Sequence, residues 1–278
     1  MSAPRGTPTR SSSEGGGAPL PNLPPSRTRA KPALEAVDLL LCRSALWEAL
    51  VLGFCPPTEE TVARLARAEG AGALAAAAAA LDAADGTALA PLVRALAVEP
   101  APSGAALGLA YGRLFGHTAR GEASPYETEY GEDSLWAPQR EMSDLGAFYR
   151  AFGLALDPGA RERPDHVACE CEFLLVLARR EARACALGDA PMRDETRHAT
   201  RIFLRDHLGH WALALGGALA RLDPGGFYGA LGSLLVGVVV AECGRAGVAV
   251  GPSFLRLRSA APDDTPMACG PVDASLEA

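Results

Sequence analysis

From residue 33 onward, apolar positions recur along the chain at helical spacing. Leu34, Val37, Leu41, Leu46 and Leu50 follow one another at steps of three to five residues, and Pro56-Pro57 stops the run. Thr58 is placed to cap a second helix. Leu74 through Leu81 enclose six alanines, which favour a helix but offer little volume to pack. Thr87 and Ser103 are placed to cap two further helices, the second with Leu107, Tyr111, Leu114 and Phe115 on one face. Met142, Leu145, Phe148, Tyr149 and Phe152 mark another helix, ending near Gly153, and a Pro-Gly turn leads to a long one after Pro164. Residues 191–209, 210–221 and 226–245 also read as helical, with Asp223-Pro224-Gly225-Gly226 as punctuation. No stretch alternates as a strand would, and no internal repeat is visible. One segment breaks the pattern: Gly121 to Pro138 has turn residues at both ends, three aromatics and five acids, and reads as an ordered loop.

The two ends differ from this body. Residues 1–32 are rich in Pro, Ser, Gly and Thr and cannot bury enough apolar surface to offset ordering, which predicts a disordered tail. Residues 258–278 return to Pro, Asp and Gly and read as a loose tail, leaving 33–257 as the folded part. With 278 residues and 49% hydrophobic content, that part can bury one large core or two small ones.

Charge narrows the partners. The chain carries 26 basic against 33 acidic residues, a net −7, but residues 1–32 hold Arg5, Arg10, Arg27, Arg29 and Lys31 against only Glu14. The tail is therefore basic and the body more acidic than the total implies. An acidic body disfavours nucleic acid and anionic membrane and suits a basic peptide. Seven cysteines with no CxxC pair fit reduced thiols in a cytoplasmic protein. The N-terminus has no apolar signal core. Phe227 to Ala241 is apolar but shorter than the ~18–20 residues a membrane span needs, so a buried core helix is expected there rather than stable membrane insertion.

The stretch richest in chemistry is Glu162-Arg163-Pro164-Asp165-His166, followed by an amphipathic helix with Cys169, Glu170, Cys171 and Phe173. Pro164 suits a helix start, and Asp165 can accept from the open amides of the first turn. A metal site would draw on His166, Cys169 and His207, but Cys169 and Cys171 point roughly 200° apart on a helix and no HExxH accompanies His207 and His210. A hydrolase would need a nucleophile; there is no GxSxG elbow. A single lysine, Lys31, leaves no P-loop. Peptide binding draws on Tyr126, Glu127 and Tyr130, with Asp165, Glu170 and Glu172 nearby: aromatic surface for an apolar stretch and carboxylates for an arginine. Equally, these tyrosines could wedge the loop onto the core while the acids solvate it. The residues alone leave both readings open.

Four blocks in order resemble the TorD/DmsD/NarJ family of molybdoenzyme maturation chaperones. They are Tyr111-Gly-Arg-Leu-Phe115, Ser124-Pro125-Tyr126-Glu127 to Tyr130, Phe148-Tyr149-Arg150-Ala151-Phe152-Gly153-Leu154, and Pro164-Asp165-His166 before a helix with Glu170 and Phe173. The resemblance implies an all-α single-domain bundle over residues 33–257 and no catalysis. It implies a cytoplasmic protein, monomer or homodimer, that binds the twin-arginine signal peptide and apo catalytic subunit of a DMSO reductase superfamily enzyme, assisting insertion of its bis-molybdopterin guanine dinucleotide and delaying export. No resident cofactor is implied, only transient contact with molybdopterin guanine dinucleotide or GTP. The implied peptide site is Tyr126, Glu127, Tyr130, Pro164, Asp165, His166, Glu170 and Phe173, with Asp165 pairing the arginines, Tyr126, Tyr130 and Phe173 packing the apolar region, and His166 orienting the site. Glu162-Arg163 departs from the family pattern, where Pro or an apolar residue is common, as do Cys169 and Cys171, where aliphatic residues are. The alternative from another class is a helical metalloprotein or ligand-binding enzyme centred on His166, Cys169 and His207.

Overall fold

The computed structural model describes residues 31–65, 68–97, 101–116, 121–132, 137–156 and 162–258. Its elements are α1 (Lys31–Phe54), α2 (Glu59–Leu65), α3 (Ala68–Asp85), α4 (Leu89–Ala95), α5 (Gly104–Phe115), a 3-10 turn (Glu127–Glu129), α6 (Ala137–Ala151), α7 (Val167–Leu187), α8 (Ala190–Asp206), α9 (Leu208–Leu222) and α10 (Phe227–Ala246). The described residues contain no strand, only the isolated bridges Tyr126 to His166 and Tyr130 to Leu257. The all-α architecture is as expected. Helix α1 begins at Lys31, just inside the expected tail. The rest of the two expected tails, residues 1–30 and 259–278, lies outside the described residues.

Local chemistry sets the helix ends. Ser103 caps α5 by accepting from the Ala106 amide at 3.2 Å, and Thr58 accepts from Thr61 at the same distance before α2. Thr87 does not cap α4. Asp82, near the end of α3, does so instead, accepting from the amides of Leu89 at 2.7 Å and Ala90 at 2.9 Å while Thr87 donates its hydroxyl to the same carboxylate. A carboxylate opposes the positive end of the helix dipole better than a neutral hydroxyl. Gly153 and Gly188 sit at φ +68° and +71° and end α6 and α7, a conformation costly to residues with a Cβ.

The longest packed pairs are α1 with α7 and α9 with α10. Trp47, Leu50 and Phe54 of α1, Leu174 and Leu177 of α7, Trp211 and Leu215 of α9 and Leu231, Leu235 and Val239 of α10 belong to one continuous buried cluster. Within it, Phe173, Phe203 and the rings of Phe148, Tyr149 and Phe152 form an aromatic knot at edge or tilted geometry, with centroids 4.7–6.0 Å apart. Helix α10 runs 20 residues, longer than the apolar stretch suggested, and by length and composition could cross a membrane. Here it is a core helix, with ten of its side chains or glycines buried against its neighbours.

Candidate functional site

The segment Gly121–Glu132 crosses the end of the bundle and is held on both sides. On one side the Glu127 amide donates to the Asp165 carbonyl at 2.9 Å and the Val167 amide to the Pro125 carbonyl at 2.8 Å. On the other, the Gly131 amide donates to the Arg256 carbonyl at 2.9 Å and the Arg258 amide to the Glu129 carbonyl at 2.8 Å. The loop is ordered because its buried backbone finds partners on two separate segments.

Before α7, the turn does not use Asp165 as the helix cap. His166 is the cap, its Nδ1 accepting from the Ala168 amide at 3.1 Å. That bond requires an unprotonated Nδ1, and burial lowers the pKa of the ring, so His166 is a neutral imidazole carrying its proton on Nε2. With Nδ1 so engaged, His166 is a poor metal ligand. Among the described residues no group of three or more His, Cys, Asp or Glu side chains is placed to hold a metal ion.

Asp165 points inward and is fully buried. Its carboxylate accepts from the Thr128 hydroxyl at 2.7 Å and amide at 3.3 Å, and from Arg163 Nε at 3.0 Å and Nη2 at 2.7 Å. Pro164 is half-buried, its carbonyl accepting from the Tyr149 hydroxyl at 2.7 Å. Tyr126 is half-buried, edge-on to His166, with its hydroxyl donating to Glu162 at 3.0 Å.

The other expected site residues lie deeper. Tyr130 is 6% exposed, donates to the Ser124 carbonyl at 2.8 Å and packs on Trp211. Phe173, at 1% exposure, belongs to the aromatic knot and presents no surface to a partner. Glu170 is fully buried, with the Trp211 indole N–H donating to it at 3.2 Å. Glu127 faces Nδ1 of His207 at 3.2 Å from both oxygens.

Behind the loop lies an open cleft of about 1010 Å³ between the loop, α6 and the α8–α9 junction. The half-buried Phe148 gives it an aromatic wall, and Glu132, Glu141, Asp144 and Asp206 border it together with Arg140 and Arg205. Arg258 braces its rim, pairing with both oxygens of Glu141 at 2.9 and 3.0 Å and donating to the Thr128 carbonyl at 2.8 Å. Glu141 and Arg258 were not legible as site residues, nor was His207 as the partner of Glu127, because their partners lie about a hundred positions away and no local period marks them.

Burial raises the pKa of Glu170 well above the usual carboxylate range, and the nearby Glu127 adds to the rise. A carboxyl with a raised folded pKa binds its proton more tightly in the folded state, so its protonated form adds stability at low pH that is lost as pH rises through the folded value. Glu170→Gln keeps an acceptor for Trp211 without the buried charge. The variant is expected to melt higher than wild type at pH 8, by roughly 2–4 °C for each kcal/mol relieved, and to lose that advantage at pH 4; thermal denaturation followed by circular dichroism across that range checks it.

Residues 78–215 match the family model described as nitrate reductase delta subunit. Over 71 residues, 24% of the chain, the sequence is 42% identical to the dimethyl sulfide dehydrogenase assembly chaperone protein of Rhodovulum sulfidophilum. It is 29% identical over 126 residues, 44% of the chain, to the chaperone protein TorD of Photobacterium profundum, and 35% identical over 83 residues, 30% of the chain, to the chlorate reductase assembly chaperone protein of Ideonella dechloratans. These matches cover 28%, 56% and 39% of the relatives' own lengths. The family-model match spans the Tyr126 loop and the Pro164-Asp165-His166 turn, and through it and these relatives the chain is similar to the TorD/NarJ family of molybdoenzyme assembly proteins.

Proposed function

We propose that the protein is a cytoplasmic assembly chaperone that binds the apo catalytic subunit of a molybdenum oxidoreductase through its twin-arginine leader. The reading rests on one observation above others. One loop, fixed on both edges, contributes both to a cleft with the Phe148 ring in its wall and carboxylates on its border and to the Tyr126, Arg163 and Asp165 cluster. An apolar leader segment can pack on the half-buried Phe148 while its arginines meet carboxylates. The names of the relatives, assembly chaperones for dimethyl sulfide dehydrogenase and chlorate reductase, favour the same class of partner.

No step in this role needs a nucleophile or a metal; the work is recognition and release. Titration calorimetry with a synthetic twin-arginine leader and its twin-lysine counterpart tests the reading. The arginine peptide is expected to bind about tenfold more tightly, a difference of ~1.4 kcal/mol, because the planar fork matches a carboxylate and stacks on an aromatic face where an ammonium does neither. Raising salt should weaken binding where the contact is at the rim. Equal affinity for the two peptides, or none for either, defeats the proposal.

A further inference from the structure

The carboxylate on which the proposed function depends is already occupied. Besides its two bonds to Asp165, Arg163 Nη2 donates to the Thr128 hydroxyl at 2.6 Å, and Nη1 lies 3.7 Å from the Glu129 carboxylate. The guanidinium carbon stands 4.4 Å over the Tyr126 ring. A planar fork on a carboxylate, a hydroxyl accepting from the same guanidinium and an aromatic face beneath are the features that select arginine over lysine. Two separate pieces of chain supply them: the tyrosine, threonine and glutamate come from the loop and its 3-10 turn, the aspartate from the turn before α7.

Exposure divides the cluster in a telling way. The Asp165 side chain has no solvent exposure, whereas that of Arg163 keeps 35%. The arginine thus fills the mouth of a socket whose acidic floor is closed to solvent. It reaches that place from a position two residues before the aspartate, so it can leave by side-chain rotation without unpacking a helix. It cannot leave the aspartate bare, because a lone buried charge is strongly disfavoured. Exchange for another guanidinium satisfies both conditions.

We infer that Asp165, Thr128, Tyr126 and Glu129 form a guanidinium socket in which Arg163 stands in for an arginine of the partner, and that binding exchanges the one for the other. The partner arginine is the leader's, so this part of the inference rests on the peptide reading above. Arg163 is then a specificity-determining residue. Only a side chain that reproduces both fork and stack can displace it, and self-occupancy lowers the apparent affinity by the fraction of time the socket is filled from within.

The test uses the full chain with Arg163→Ala. The variant should melt below wild type and regain its melting temperature in millimolar N-acetyl-arginine methylamide, but not in the lysine analogue; wild type should respond to neither. The twin-arginine leader should bind the variant about tenfold more tightly than wild type. Rescue by the arginine derivative no better than by the lysine one overturns the socket. Rescue with leader affinity equal to or below wild type overturns the exchange. Rescue with no leader binding by either protein overturns the peptide reading and leaves the socket standing. Should Arg163→Ala not fold, wild type labelled with 15N at arginine serves: the Arg163 Nε–H resonance is expected to move toward that of a free guanidinium as leader is added, and an unchanged resonance at saturation overturns the exchange.

Discussion

Replacing Asp165 with alanine should lower the stability of the protein by about 2–4 kcal/mol, because the Thr128 hydroxyl and amide would be left buried without their acceptor and each such loss costs ~1–3 kcal/mol. Arg163, partly exposed, can turn to water and softens the loss. For a chain of this size the drop corresponds to a melting temperature roughly 5–15 °C lower. Asp165→Asn separates this structural cost from recognition. It keeps a carbonyl facing Thr128 but removes the charge, so it should retain most of the stability while binding a twin-arginine leader at least about tenfold more weakly. Chemical denaturation and calorimetry on the two variants check both halves. Wild-type affinity in Asp165→Asn would mean that the leader's arginines are held elsewhere.

The Asp165 site also shows where sequence reasoning succeeds and where it stops. The helices were legible because apolar positions at 3.6-residue spacing record which face is buried, and Pro56-Pro57, Ser103, Gly153 and Asp223-Pro224-Gly225-Gly226 mark their ends. The loop between α5 and α6 was legible from its turn residues. What the pattern could not carry is direction: Tyr130 and Phe173 have the composition of a binding surface, yet one rests on Trp211 and the other fills the aromatic knot. Aromatic side chains suit either role, and only the position of residues distant in sequence, Trp211 for Tyr130 and Phe203 for Phe173, decides between them. The pairing of Glu127 with His207 has the same character, since neither residue carries a local sign of the other. Arg163 is a different kind of miss. It sits two residues from Asp165, but a carboxylate before a helix is ordinarily read as a cap, and that reading gave Asp165 the task that His166 performs.

The close crossing of α9 and α10 should tolerate little added volume. A Cβ on Gly216 would lie 2.4 Å from the Gly232 carbonyl oxygen and 2.6 Å from a methyl of Val236, while one on Gly232 would lie 2.7 Å from the Gly216 carbonyl oxygen. The two helices therefore touch through backbone, and a carbonyl cannot step aside as a flexible side chain can. Gly216→Val should destabilise the protein at or beyond the upper end of the ~1–3 kcal/mol typical of overpacking, because the helices must separate and Leu215, Leu219, Leu231 and Leu235 lose packing with them. Gly244→Ala, on the exposed side of α10 with open space around its Cβ position, is the control; there the gain in helix propensity should raise stability by about 0.5–1 kcal/mol. Urea titrations of both variants decide the matter. A small loss in Gly216→Val would mean that the α9–α10 contact yields, and that the long apolar α10 is held in the bundle by something other than this close approach. A large one identifies the glycine pair as the feature that lets so apolar a helix bury itself in the core rather than present its length to another environment.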